Sequence, residues 1–269
     1  MARISDLTPD LTPELARDWI DRWDRQQEVY VPEREERFTV IADAVEAATG
    51  RADPLIVDLG CGPGSLAVRL LARFPNATVV AVDADPLLLE LATTAYADLP
   101  GLRIVDTDLR RPHWAAALGL DGPADAVVST TALHWLAAAE LRALYAGVHG
   151  LLRPGGVLLN GDHLREGQPG LRALARELVT LREQREALAA GGADPAVAGR
   201  EDWEQWWEAV AGAPELAGAY TERARRRYTH ASESLDLDLH VSALRAAGFA
   251  EVGTLWQYGD DRLLCALKA

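Results

Sequence analysis

The chain is expected to fold as a doubly wound α/β domain with a seven-stranded, mostly parallel sheet and helices on both faces, and three observations predict this. From residue 54 onward short apolar runs alternate with helical stretches. Those runs are apolar on both faces, the pattern of strands covered on each side by helices. A glycine-rich turn follows the first run and opens a helix, at the sheet edge where such folds bind ligands. With 49% apolar residues among 269, the chain can bury a large core, and its length suits one such domain carrying an insertion.

Two helices precede the sheet. Thr12 is placed to cap the first and Pro13 to occupy its first position, with the helix running to about Gln27. The second opens at Pro32 and stops near Gly50. Its apolar positions Phe38, Ile41, Ala42 and Val45 follow i, i+3, i+4, i+7 spacing, which leaves Glu33, Arg34 and Glu36 at an exposed start. Residues 1–50 therefore read as an N-terminal helical extension. The strands are PLIVDLG (54–60), ATVVAVD (77–83), LRIVDTD (102–108), ADAVVST (124–130) and GGVLLNGD (155–162), with helices reaching Arg73 and Ala97 after the first two. From Arg165 to Ser234 there is no strand pattern, only helical sequence broken by GGADP and GAPEL. LDLHVSALRAAG, AEVGTLWQY and DRLLCALK then read as helix, strand, strand. The core accordingly spans 51–164 and 235–269, with a helical lid over 165–234 above the carboxyl edge of the sheet.

Composition removes several function classes. The 27 Lys and Arg against 41 Asp and Glu leave a net charge of −14, which opposes a phosphate-neutralising surface, so no nucleic-acid partner is expected. There is no run of about 18 apolar residues, so no membrane span is expected. Cys61 and Cys265 lie in stretches that read as buried, without neighbours at metal-ligand spacing; neither a disulfide framework nor a metal site is expected. The first residues are acidic where a signal peptide starts basic, which points to the cytoplasm. Composition leaves the oligomeric state open.

The sharpest signal is VDLGCGPGSL, where Gly60, Gly62 and Gly64 form a tight turn that lets backbone approach a ligand closely. A dinucleotide fingerprint requires glycine at position 65. Ser65 stands there instead, which disfavours a pyrophosphate site and a nicotinamide-dependent oxidoreductase.

With this acidic residue, glycine spacing and strand-turn-helix setting, the sequence resembles the class I S-adenosylmethionine-dependent methyltransferases over about 36–163 and 236–268. The resemblance implies a Rossmann-like fold, S-adenosylmethionine as cofactor with S-adenosylhomocysteine as product, and a small-molecule methyl acceptor. It places the turn of Gly60, Cys61, Gly62 and Gly64 against the methionine and ribose portion. Asp58 would attract the ammonium and sulfonium region, and Asp83, next to Ala84, would accept both ribose hydroxyls. Asp108 and Leu109 would meet the adenine, Asp106 being the competitor, while Thr130, Thr131, Ala132 and His134 after the fourth strand would face the cofactor. The HW pair at 134–135, WD near the start and LWQYGDDRLLCAL near the end are similar to the trans-aconitate methyltransferase branch, whose members act on small carboxylic acids. In that branch the first helix supplies a Tyr or Arg near the methionine end, for which Tyr30 and Arg34 stand as candidates. The implied reaction is O-methylation of a carboxylic acid, with Arg34 and Arg165 as clamps. N- or phenolic O-methylation with His134 or His163 as base is the alternative, and a binding protein that transfers no methyl is a third reading.

Other residues carry weaker expectations. Trp203, Trp206 and Trp207, like Trp19 and Trp23, have helical spacing that suits either packing or an aromatic wall. The RARRR run at 223–227 reads as a solvated helix surface.

Overall fold

The computed structural model describes residues 10–31, 33–189, 201–226 and 235–269. Its seven strands are β1 (Leu55–Leu59), β2 (Thr78–Asp83), β3 (Leu102–Asp106), β4 (Ala124–Thr130), β5 (Leu152–His163), β6 (Glu251–Tyr258) and β7 (Asp261–Leu267). They lie in the order β3-β2-β1-β4-β5-β7-β6. β1 to β5 are parallel, and β7 joins β5 and β6 antiparallel. The order reverses between β1 and β4, so the turn after β1 opens at the switch point of the sheet.

The described helices are α1 (Pro13–Tyr30), α2 (Arg34–Thr49), α3 (Ser65–Arg73), α4 (Pro86–Ala95), α5 (Trp114–Ala117), α6 (Ala138–Leu151), α7 (Pro169–Ala189), α8 (Trp203–Gly212), α9 (Ala217–Arg226) and α10 (Leu237–Ala246). Thr12 caps α1 through its side chain, and Asp85 caps α4 by accepting from the Leu87 and Leu88 amides. α2 begins at Arg34, while Pro32 lies outside the described residues.

Both faces of the sheet are covered. α6 and α10 bury Leu144, Tyr145 and Leu244 against one side; α2 and α3 bury Phe38, Ile41, Val45 and Leu70 against the other. Ile41 has no exposed surface, and burial of such a side chain contributes about 1.5–3 kcal/mol. Cys61 is buried, but Cys265 is only half-buried, at the rim of the α2 face, which corrects its expected burial.

Of the described helices, α7 to α9 lie in the inserted region between β5 and α10. A third apolar cluster joins this insertion to the N-terminal extension: Trp19, Ile20 and Trp23 of α1 meet Leu87 and Leu91 of α4 and Trp206 and Val210 of α8. Trp206 is fully buried, edge-on to Trp19 at 6.0 Å and to Trp23 at 5.0 Å. Extension and insertion thus pack into one cap beside the carboxyl edge of β2. Among the described residues no helix is long and apolar enough to cross a membrane.

Candidate active site

The turn after β1 is shaped by positive backbone angles, φ 69° at Gly60 and 54° at Gly62. A Cβ on Gly60 would stand 2.3 Å from that of Ala132, so only glycine lets the β4 loop close over this turn. The Gly60 and Cys61 amides donate to the Val82 carbonyl at 2.8 and 2.9 Å. Asp83 completes the link by accepting from the amides of Gly62 (2.8 Å), Ala84 (2.7 Å) and Asp85 (2.8 Å). Burial raises the Asp83 pKa, and the Asp85 and Gly62 amides only partly offset this.

Asp58 lies at the carboxyl end of β1 with no exposed surface, and neither carboxylate oxygen has a hydrogen-bond partner. Burial first, and then the neighbouring Asp83 charge, push its pKa up to about 7, with the Ala67 amide pulling the other way. An uncompensated buried carboxylate is costly unless a ligand answers it, which marks a functional site.

A cavity of about 710 Å³ opens above these turns. Gly60, Cys61, Gly62, Asp83 and Ala84 line its floor; Asp108, Leu109, Thr130 and Thr131 line it from beyond β3 and β4. Tyr30, Arg34, His134 and His163 line it as well. The structure brings these thirteen together with Ala132, and it leaves Asp58 and Gly64 off the wall. Asp58 lies beneath the floor, and Gly64 is turned away, its absent Cβ facing Tyr96 at 3.6 Å.

Asp108 sits two residues past the end of β3 and is held by the Arg110 side chain (2.9 and 3.0 Å) and amide (2.9 Å). Burial raises its pKa, but the Arg110 hydrogen bonds and charge outweigh this and hold it below the usual range. Asp106 lies outside the cavity lining, where Arg226 binds it at 2.6 and 2.7 Å.

Several charged residues differ from expectation. Arg34 is buried, not at an exposed helix start, because Asp24 of α1 binds it at 2.9 Å. Asp24 also accepts from Ser65 Oγ (2.5 Å) and Arg69 (3.2 Å), so one carboxylate ties the extension to the first turn of α3. Arg165 is exposed and off the cavity wall, since the chain turns outward there to bridge Asp236, and it is not placed as a clamp. Arg223 and Arg226 are not solvated helix surface. Arg223 binds Asp85 at 2.6 Å and stacks on Trp207, while Arg226 reaches Asp106 and the Ala84 carbonyl (2.9 Å). Arg227 lies outside the described residues. The tryptophans divide: Trp19 and Trp206 pack, Trp203 and Trp207 line the cavity, and Trp23 does both. Tyr30 closes α1 and accepts the Trp203 amide at 3.2 Å. Three buried polar atoms on cavity-lining residues have no hydrogen-bond partner among the described residues: Arg34 Nη1, Thr130 Oγ1 and Trp207 Nε1.

Across the cavity, His134 Nδ1 lies 2.9 and 3.1 Å from the two oxygens of Asp162, which has no exposed surface, and His163 Nδ1 lies 3.3 Å from Asp260. Burial raises the Asp162 pKa, but His134 and Arg37 outweigh it and hold the carboxylate below the usual range. His163 is raised, chiefly by its hydrogen bond to Asp260. Sequence reasoning missed Asp24, Asp162 and Asp260. A lone acidic residue closing the apolar run GGVLLNGD was the available signal for Asp162, and the WD pair for Asp24.

A family model described as a methyltransferase domain matches residues 56–156, from β1 into β5. Trans-aconitate 2-methyltransferase of Methylobacterium radiotolerans is 34% identical over 175 residues, covering 64% of this chain and 60% of that protein. The Azoarcus sp. strain BH72 protein of the same name is 35% identical over 136 residues, covering 51% and 49%. The chain thus matches about half to three-fifths of these relatives' lengths. Among solved structures, magnesium protoporphyrin IX methyltransferase of Synechocystis PCC 6803 superposes with a TM-score of 0.52 at 20% identity, covering 93% of this chain and 94% of that one. An O-methyltransferase family protein of Burkholderia thailandensis gives 0.54 at 19%, covering 96% and 71%. These two likenesses speak for the fold. The glycine turn at the sheet's switch point and the strand order thus give the chain a Rossmann-like fold shared with solved methyltransferases, and its residues 56–156 match a methyltransferase domain.

Proposed function

We propose that the protein transfers a methyl group from S-adenosylmethionine to a small carboxylic acid, forming an ester. The observation that carries the cofactor assignment is the set of buried atoms without hydrogen-bond partners around the glycine turn. The Asp58 carboxylate, Arg34 Nη1 and Thr130 Oγ1 suit a ligand end bearing both ammonium and carboxylate. Asp83 and Asp108 are spaced along the ends of β2 and β3 for a nucleoside, Asp83 for the ribose hydroxyls and Asp108 for the adenine amino group. When bound, the cofactor supplies an electrophilic methyl on a positively charged sulfur with a neutral leaving group.

This chain's own task is then alignment and exclusion of water. Gly60 and Gly62 bring backbone close to the ligand, and Asp83 fixes that turn to β2. Trp23, Trp203 and Trp207 wall the cavity from the cap side. A carboxylate acceptor is already ionised at neutral pH, so its attack requires positioning and no base. The trans-aconitate relatives support this acceptor class.

The test is S-adenosylhomocysteine release with a panel of acceptors: trans-aconitate and other small carboxylic acids, phenols and amines. Ester formation supports the reading. Cofactor binding without turnover of any of them overturns it in favour of a binding protein. A second reading, base-assisted N- or phenolic O-methylation, is favoured by the His134–Asp162 contact, which orders an imidazole on the cavity wall. Products from phenols or amines alone would establish it.

A further inference from the structure

One side of the cavity is a continuous aromatic surface. Trp23 of α1 lies 5.2 Å from Trp203 and 6.4 Å from Trp207 of α8, ring centre to ring centre, and those two lie 5.7 Å apart. All three line the cavity. The fully buried Trp206, which is not part of the lining, meets Trp23 at 5.0 Å and Trp207 at 4.9 Å, so the lining rings are backed by packed core. Asp202 caps α8 by accepting from the Gln205 amide, and Tyr30 Oη accepts from the Trp203 amide, which fixes the turn that carries Trp203. Rings held in this way offer flat contact area at little cost in conformational entropy.

The charges of the lining narrow what this surface suits. Among the described residues every arginine of the lining engages a carboxylate: Arg34 binds Asp24 at 2.9 Å, Arg110 binds Asp108 at 2.9 and 3.0 Å, and Arg223 binds Asp85 at 2.6 Å. The two cavity histidines likewise lie against Asp162 and Asp260. Asp202 and Glu204 add acidic groups from the start of α8. Lys268 is the only lysine in the sequence; it donates to the His149 and Leu152 carbonyls and is not part of the lining. A carboxylate that leaves water needs an opposite charge or several donors. The reacting carboxylate of an acceptor meets such a charge in the cofactor's sulfonium. A second or third carboxylate would lie among indole rings and acidic side chains.

We propose that the methyl acceptor is an acid with a single carboxylate on a flat aromatic body, and that Trp203 and Trp207 set this specificity by stacking on that body. This rests on the carboxylic-acid reading above. A tricarboxylic acid such as trans-aconitate is then a poor acceptor. A lone pair on one carboxylate oxygen forms the bond to the methyl carbon, while the carbon–sulfur bond breaks and its pair returns to sulfur. Sulfonium and carboxylate become thioether and ester, and no proton moves.

The experiment measures kcat and KM for benzoate, 2-naphthoate, hexanoate and trans-aconitate, with calorimetry of each acid on protein saturated with S-adenosylhomocysteine. Both are repeated with Trp203→Ala, Trp207→Ala and Trp207→Phe. In the unmodified protein the better aromatic acid exceeds hexanoate and trans-aconitate by about tenfold or more in kcat/KM and in affinity. Each Trp→Ala change weakens its binding roughly tenfold, with S-adenosylhomocysteine affinity changed by less than about twofold, and Trp207→Phe restores most of the loss because a flat ring is kept. Trans-aconitate or hexanoate used as well as the aromatic acids overturns the proposal and leaves the carboxylic-acid reading intact. So does a loss confined to S-adenosylhomocysteine affinity in the alanine variants, which would give the aromatic surface to the cofactor. Turnover of phenols or amines alone overturns that reading and the proposal with it. Should the alanine variants fail to fold, the ranking of the four acids by the unmodified protein decides.

Discussion

The floor of the cavity and the cap over it are built from different materials. At the floor, the ends of the neighbouring strands β1 and β2 are joined through the backbone of the glycine turn: the Gly60 and Cys61 amides donate to the Val82 carbonyl and the Gly62 amide to the Asp83 carboxylate. The cap is held by side chains that reach across the sequence, Arg223 to Asp85 and Arg226 to Asp106, separated by 138 and 120 residues. A backbone-built site tolerates little substitution and is rigid before a ligand arrives. A cap held in part by ion pairs that solvent reaches is expected to open more easily than the floor, with the buried tryptophan cluster opposing it.

The strongest way to break this contrast is Gly60→Ala. The added methyl would stand 2.3 Å from Ala132 Cβ at a residue with φ 69°. Left-handed strain and overpacking together should cost about 2–4 kcal/mol, seen as a lower urea midpoint with unchanged slope. A near-normal midpoint would mean that the floor yields and is not set by its backbone.

Asp83→Ala tests the same floor with a smaller effect. It removes the acceptor of three amides and the proposed ribose contact, so affinity for S-adenosylmethionine should fall roughly five- to a hundredfold in calorimetry. Unchanged affinity would remove Asp83 from the ribose site.

That division also explains what could be read from the sequence. The five parallel strands, the glycine turn, Asp83 at the end of β2 and Asp108 just past β3 are local patterns, in which apolar runs and turn residues sit within a few positions of one another. The cap is not local. Arg34 looks like a solvated helix start until Asp24, ten residues earlier on another helix, is placed beside it. The arginines at 223 and 226 look solvated until α9 is laid across the ends of β2 and β3. Asp162 and Asp260 meet their histidines only through the pairing of β4, β5 and β7, and a lone acidic residue in an apolar strand hints at burial without naming its partner.

A smaller effect sharpens the contrast through pH. The raised Asp58 pKa, about 7 in the fold against an ordinary carboxylate near 4, means that the ligand-free protein loses stability through this group as pH rises from about 4 to 7. A cationic ligand above it favours the ionised form, so binding S-adenosylmethionine releases a proton below pH 7. Affinity should therefore rise with pH, by at most about tenfold per unit, and level off above 7. Asp58→Asn should flatten the profile. A flat profile in the unmodified protein would mean that the floor's buried charge does not sense the ligand.

The smallest expected effect belongs to the cap. Arg226→Ala removes two hydrogen bonds to Asp106 and one to the Ala84 carbonyl, from a side chain that is 31% exposed. Pairs this open to solvent contribute about 0.5–1 kcal/mol, which converts to a roughly two- to fivefold change in an opening equilibrium. Amides of α8 and α9 should exchange with deuterium faster by that factor, and those of β1, β2 and β4 should not change. Raising the salt from about 0.05 to 0.5 M should reproduce much of the effect in the unmodified protein, because screening acts on the exposed Arg226–Asp106 pair and not on the Trp19–Trp206 contact beneath it. If the cap exchanges as slowly as the strands, and neither the substitution nor salt alters it, then the tryptophan cluster alone holds the cap closed. Acceptor entry would then need a route that leaves α9 in place.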